Sequence, residues 1–161
     1  MEDKEKLLEF LKSNRLMSLA TYSDDLWIST VYYVVDNSFN FYFISNPKTK
    51  HGRDIATNKN IACAIADSHQ RVKDNKKGVQ TQGTASIVNN KIEIVNALIL
   101  WNKLNPGFEK IINFKNMQKK IMNDKVFKIE PKIIQFFNEE LYGQEGYKIF
   151  KFGDKKWIKS P

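Results

Sequence analysis

Three runs of aromatic and β-branched residues follow one another early in the chain: Leu16 to Tyr22 (LMSLATY), Trp27 to Val35 (WISTVYYVV) and Phe39 to Ser45 (FNFYFIS). The segments between them, Ser23-Asp24-Asp25 and Asp36-Asn37-Ser38, have turn composition. Connections this short join antiparallel neighbours, so the spacing predicts a meander. The pattern resumes at Ile61 to Asp67 and Val79 to Val88, around the polar loop Ser68 to Gly78. It returns at Val126 to Ile129, Ile133 to Phe137, Tyr147 to Phe152 and around Trp157. The expected fold class is mainly β, a small barrel decorated by helices.

Two stretches change period. Leu7, Leu8, Phe10 and Leu11 fall at helical spacing, with acids leading and Lys12 and Arg15 closing, which predicts a helix over 3–14. Ile94, Ala97, Leu98 and Trp101 form one stripe that ends at Asn105-Pro106-Gly107, and residues 108–124 read as further helix with Ile111, Ile112, Met117 and Ile121 inward. Together these make a helical insertion at about 91–124. Trp101, on the apolar stripe, is expected in the core or a subunit contact rather than over a cofactor. No repeat or linker composition interrupts the chain, so residues 1–161 are expected to form a single domain.

Composition narrows the classes. The longest apolar runs, such as Val31 to Val35, fall far short of the ~20 residues of a membrane span. MEDKEKLLEF has no apolar leader, so a cytoplasmic protein is expected. One cysteine, Cys63 in the run IACAIA, allows no intrachain disulfide and reads as packing. His51 and His69, the two histidines, form no spaced metal set. The net charge of +8 is concentrated late: residues 101–161 hold 13 Lys and Arg against 7 acids. Without a clustered run this reads as a solvated face, and Phe108, Phe114, Phe136, Phe137 and Tyr147 are spaced as core residues rather than as a stacking platform for nucleic acid.

The chemistry concentrates in SNPKTKHGRDI, Ser45 to Ile55. Pro47 stiffens the entry, Ser45 and Thr49 offer hydroxyls, and Thr49 or Lys50 begins a short helix whose unpaired amides and positive dipole end suit an anion. Lys50, His51 and Arg53 add cationic donors. Charge-assisted hydrogen bonds contribute about 1.5 to 3 kcal/mol each, so the ligand also needs a flat or apolar body. The bland alternative is an N-capped surface helix with solvated cations.

The order LMSLATY, WISTVYYV, FYFIS, NPKTKHGRDI, NKNIACAIAD and GVQTQGTASIV resembles the FMN-binding split-barrel superfamily of pyridoxamine 5'-phosphate oxidase, over about residues 14 to 90. The resemblance implies a six-stranded antiparallel split β-barrel with flanking helices, a homodimer, and one FMN in each of two clefts between subunits. By position, Ser29, Thr30, Val31 and Tyr32 correspond to the strand along which the family lays the isoalloxazine ring. Ser45, Thr49, Lys50 and His51 correspond to its phosphate grip, with histidine in place of a second cation. Gln80 and Gln82 lie where the family places an amide near the flavin, or else form an exposed strand face. The lysine that the oxidase uses for substrate phosphate falls at Val34, and its C-terminal Arg-x-His element has no counterpart in Ile133 to Glu140. The implied function is an FMN-dependent oxidoreductase of unknown small-molecule substrate. The alternative is a non-catalytic haem- or cofactor-binding protein on the same fold, with His51 or His69 as axial ligand.

Overall fold

The computed structural model describes residues 2–120, 122–153 and, as backbone, 156–159. The helix α1 (Glu2–Ser13) precedes β1 (Leu16–Tyr22), β2 (Leu26–Tyr32), β3 (Val34–Val35) and β4 (Phe41–Ser45). Then come α2 (Lys50–Thr57), β5 (Asn60–Ala66), β6 (Lys77–Ile87), α3 (Lys91–Leu104) and α4 (Phe114–Gln118). The long strand β7 (Lys125–Asn138), α5 (Glu139–Tyr142), β8 (Tyr147–Gly153) and β9 (Lys156–Lys159) complete the order.

All pairings are antiparallel, in the order β2-β1-β5-β6-β7-β4-β3, with β8 and β9 added beyond β7. The expected single run Trp27 to Val35 is interrupted at Tyr33, and that break closes the barrel. Before it, β2 pairs with β1; after it, β3 pairs with β4. The buried Tyr33 donates its amide to the Arg15 carbonyl and its hydroxyl to the Leu11 carbonyl at 2.6 Å, pinning the bend to the end of α1. Counting β2 and β3 as one bent stave, six staves surround the core, and the sheet is mainly β as expected.

Two strands expected at Val126 to Ile129 and Ile133 to Phe137 are one. β7 runs through Pro131 because its partner on one side changes there: β4 pairs with it up to Ile129 and β8 from Ile133. A missing N–H is tolerated where one edge is unpaired. On the other side β6 carries a register shift between Gln82 and Gly83, opposite Pro131. A Cβ on Gly83 would overlap the Glu130 carbonyl oxygen and lie 2.9 Å from the Pro131 Cα, so only glycine admits this approach.

Alternation places the core. Met17, Leu19, Ile61, Cys63, Ile65, Phe41, Phe43, Phe127, Ile129, Ile134 and Phe136 point into the barrel, and α1 covers one end with Leu7 and Leu11. Phe43 and Phe127 stack at 4.8 Å. Cys63 is buried packing, and burial pushes its thiol up to about 12. A second cluster lies outside β3 and β4, where Ala97, Leu98 and Trp101 of α3 meet Val34, Tyr42, Met117 and Met122. Trp101 is thus core. The helix expected over 108–124 shrinks to Phe114–Gln118; Ile111 is exposed, Ile112 half-buried and Met117 buried, and Ile121 lies outside the described residues, as does the Trp157 side chain. Among the aromatics weighed for nucleic acid, Phe136 is core, Phe114 and Phe137 are half-buried, and Phe108 and Tyr147 are exposed. No helix among the described residues is long and apolar enough to cross a membrane.

Candidate functional site

The mouth of the barrel away from the Tyr33 bend is filled by the start of α2. Thr49 caps this helix: its Oγ1 accepts from the Gly52 amide at 3.2 Å and its carbonyl from the Arg53 amide at 3.0 Å. The amides of Lys50 and His51 precede the first intrahelical bond, which leaves a partial positive charge at this end. Gly52 lets the helix start press on the Pro47 turn, since a Cβ there would lie 2.5 Å from the Pro47 carbonyl oxygen.

His51 is the hub. Its ring is buried, with Nδ1 3.1 Å from Ser29 Oγ on β2 and Nε2 2.8 Å from Ser45 Oγ at the end of β4 and 3.1 Å from Thr49 Oγ1. Ser29 Oγ also accepts from the Trp27 indole at 3.0 Å. Burial lowers the His51 pKa, against a smaller opposite pull from Asp54, so the ring is neutral near pH 7. His51 therefore supplies hydrogen bonds here, where the sequence suggested a cation.

Lys50 is already partnered. Its Nζ donates to Asp54 Oδ1 at 2.6 Å, and Asp54 also accepts from Thr21 Oγ1 at 2.9 Å and Ser23 Oγ at 2.7 Å. Burial works against the charge of Asp54, but the bonds from Lys50, Ser23 and Thr21 outweigh it and hold the carboxyl at about 2. The sequence reading missed Asp54. Its signal was there in the four-residue interval from Lys50, which puts both on one helix face. Arg53 is exposed and donates to the Lys48 carbonyl.

Register divides the candidates between two faces. Ser29 pairs with Leu19 and Val31 with Met17, so both sit on the inward rows with Ser45, Thr49 and His51 nearby. Thr30 and Tyr32 point outward. Thr30, Ser18, Ala64, Gln80 and Gln135 form one cross-strand row; Ile28, Ala20, Ala62, Gln82 and Ile133 form the next. These rows line a shallow groove of about 400 Å³, floored by small side chains and flanked by glutamines, with Gln135 donating to Gln80 at 3.2 Å. The structure thus brings Ser29, Ser45, Thr49 and His51 together and separates them from Thr30, Tyr32, Gln80 and Gln82. His69 is exposed beside Asp67, and no metal-holding group occurs among the described residues.

The family model described as pyridoxamine 5'-phosphate oxidase matches residues 3–137. The chain belongs to that family. No curated protein matches it. Among solved structures it is similar to a heme binding protein from Mycobacterium smegmatis, at TM-score 0.72 and 17% identity, covering 92% of this chain and 57% of that one. HutZ, a heme storage protein from Vibrio cholerae, superposes at TM-score 0.60 with 14% identity over 79% and 88% of the two chains. General Stress Protein 26 from Bacillus anthracis does so at 0.60 with 18% identity over 84% and 94%. Family and neighbours agree on the split barrel with flanking helices, the expected fold.

Proposed function

We propose that the chain is an FMN-binding flavoprotein, an oxidoreductase acting on a small-molecule substrate in the cytoplasm as a homodimer. The observation that carries this reading is the convergence of Ser29, Ser45, Thr49 and His51 with the first-turn amides of α2 at one mouth of the barrel. Family membership supports a flavin, and the exposed apolar side chains of β2 beside the outward alanines of β1 and β5 support a second subunit.

The residues fit a phosphate through neutral donors more than through charge. Ser45 and the amides of Lys50 and His51 are the donors, while Lys50 shares its charge with Asp54. Thr49 contributes as the cap that orients those amides, its own hydroxyl proton going to the Asn46 carbonyl. The free edge of β2 from Ser29 to Tyr32 would carry the ring by main-chain bonds. Gln80 and Gln82, on the other face, would reach the ring bound to the partner subunit. FMN, once bound, supplies the hydride or electron transfer; the chain binds, orients and shields it.

Haem is the second reading, favoured by the two neighbours described as heme proteins. Both ring nitrogens of His51 are engaged, so His69 is the ligand it leaves. Titration of the purified protein with FMN and with haemin tests both. Flavin fluorescence quenched at a stoichiometry of one per chain supports the first; a Soret band lost in His69→Ala, without flavin binding, replaces it by the second.

A further inference from the structure

We infer that His51 is a positioning residue that clasps the two sides of the barrel mouth, and that Ser45 is the hydroxyl it presents to the ligand's phosphate. The inference rests on the phosphate reading above and adds a division of labour to it.

Proton counting assigns the roles. Thr49 has one hydroxyl proton and gives it to the Asn46 carbonyl at 2.8 Å. Its contact with His51 Nε2 at 3.1 Å then requires a proton on Nε2. That proton is shared with the nearer Ser45 Oγ at 2.8 Å, which makes Ser45 an acceptor from the ring. Nδ1 is left bare and accepts from Ser29, whose oxygen accepts in turn from the Trp27 indole, a group that can only donate. The hydroxyl protons of Thr49 and Ser29 and the shared Nε2 proton are all placed, whereas that of Ser45 has no acceptor among the described residues.

The clasp also has a mechanical side. β2 stands at one end of the sheet path and β4 next to the other, and no strand pairing joins them: the chain leaves β2 at Tyr33 for β3, which pairs with β4. At the open end, Ser29 and Ser45 are linked through the imidazole. The groups facing the ring are the hydroxyls of Ser29, Ser45 and Thr49, the ring of Phe43 at 6.1 Å between centroids, and, on its own helix, Asp54 already paired with Lys50. A lysine here would bring charge but could not accept from Ser29.

Nitrogen-15 NMR of the His51 ring in the full chain tests the clasp without any ligand. A protonated Nε2 with a bare Nδ1 at pH 7 is expected, and the opposite tautomer or a doubly protonated ring overturns the proposal. FMN titration tests the presentation. Ser45→Ala is expected to weaken binding at least tenfold. Ser29→Ala, which removes the hydroxyl bonded to His51 and Trp27, should weaken it several-fold and alter the ring shifts, with Ser29→Thr restoring both. Wild-type affinity in Ser45→Ala overturns the role of Ser45. If wild-type protein binds no FMN, the phosphate reading falls and the role of Ser45 with it, while the ring tautomer still decides the clasp.

Discussion

The ammonium of Lys50 lies 2.6 Å from the carboxylate of Asp54, one turn further along α2 and almost wholly buried. This pair stabilises the helix start and sets how much charge the mouth of the barrel can offer an anion. Its effect on acid stability can be worked out. The folded pKa of Asp54, about 2, is below the ordinary 3.8, so the folded state gains stability above the unfolded pKa and loses it as pH falls toward 2. The shift corresponds to about 2 kcal/mol. Urea melts of wild type and Asp54→Asn should differ at pH 6 and converge between pH 4 and 2.

Thr49 acts through the helix cap. Thr49→Ala removes the acceptor for the Gly52 amide and should cost about 1 kcal/mol, with Thr49→Ser recovering most of it. Thermal denaturation of the three proteins checks this. An unchanged midpoint in the alanine variant would mean that another group caps α2.

Gly83 faces the backbone at Glu130 and Pro131, where a flexible side chain cannot move aside. Gly83→Ala should cost about 1 to 3 kcal/mol by overpacking. Gly153→Ala, with no atom of the described residues within 4 Å of the added Cβ, is the matched control and should cost much less.

Cys63 is shielded inside the barrel with its thiol pushed up to about 12 by burial. A disulfide reagent at pH 8 should label native protein far more slowly than urea-unfolded protein, where one thiol per chain reacts. Rapid native labelling would show that the barrel opens locally.

The outward rows make a prediction about assembly. Leu26 is 82% exposed, Ile28 66% and Tyr32 57%, beside the small side chains Ala20, Ala62 and Ala64. If a second copy covers this face, Ala62→Arg should shift the mass measured by light scattering from dimer to monomer while leaving the fold, read by circular dichroism, intact.

Local pattern and chain order carried a good deal. The strands at Ile61 to Asp67 and Val79 to Val88 were legible in composition, and the shared face of Gln80 and Gln82 in their spacing, because side chains of a strand alternate whatever it pairs with. The cap at Thr49 was legible for the same reason: it depends on residues within one turn. Three things were out of reach. The bend at Tyr33 depends on a carbonyl of α1, the continuity of β7 through Pro131 on which neighbours end there, and the neutrality of His51 on burial by residues 22 positions away. Hydroxyls and cations could be counted in SNPKTKHGRDI, but only long-range packing decided which of them meet, which are consumed by Asp54, and which face opposite sides of one sheet.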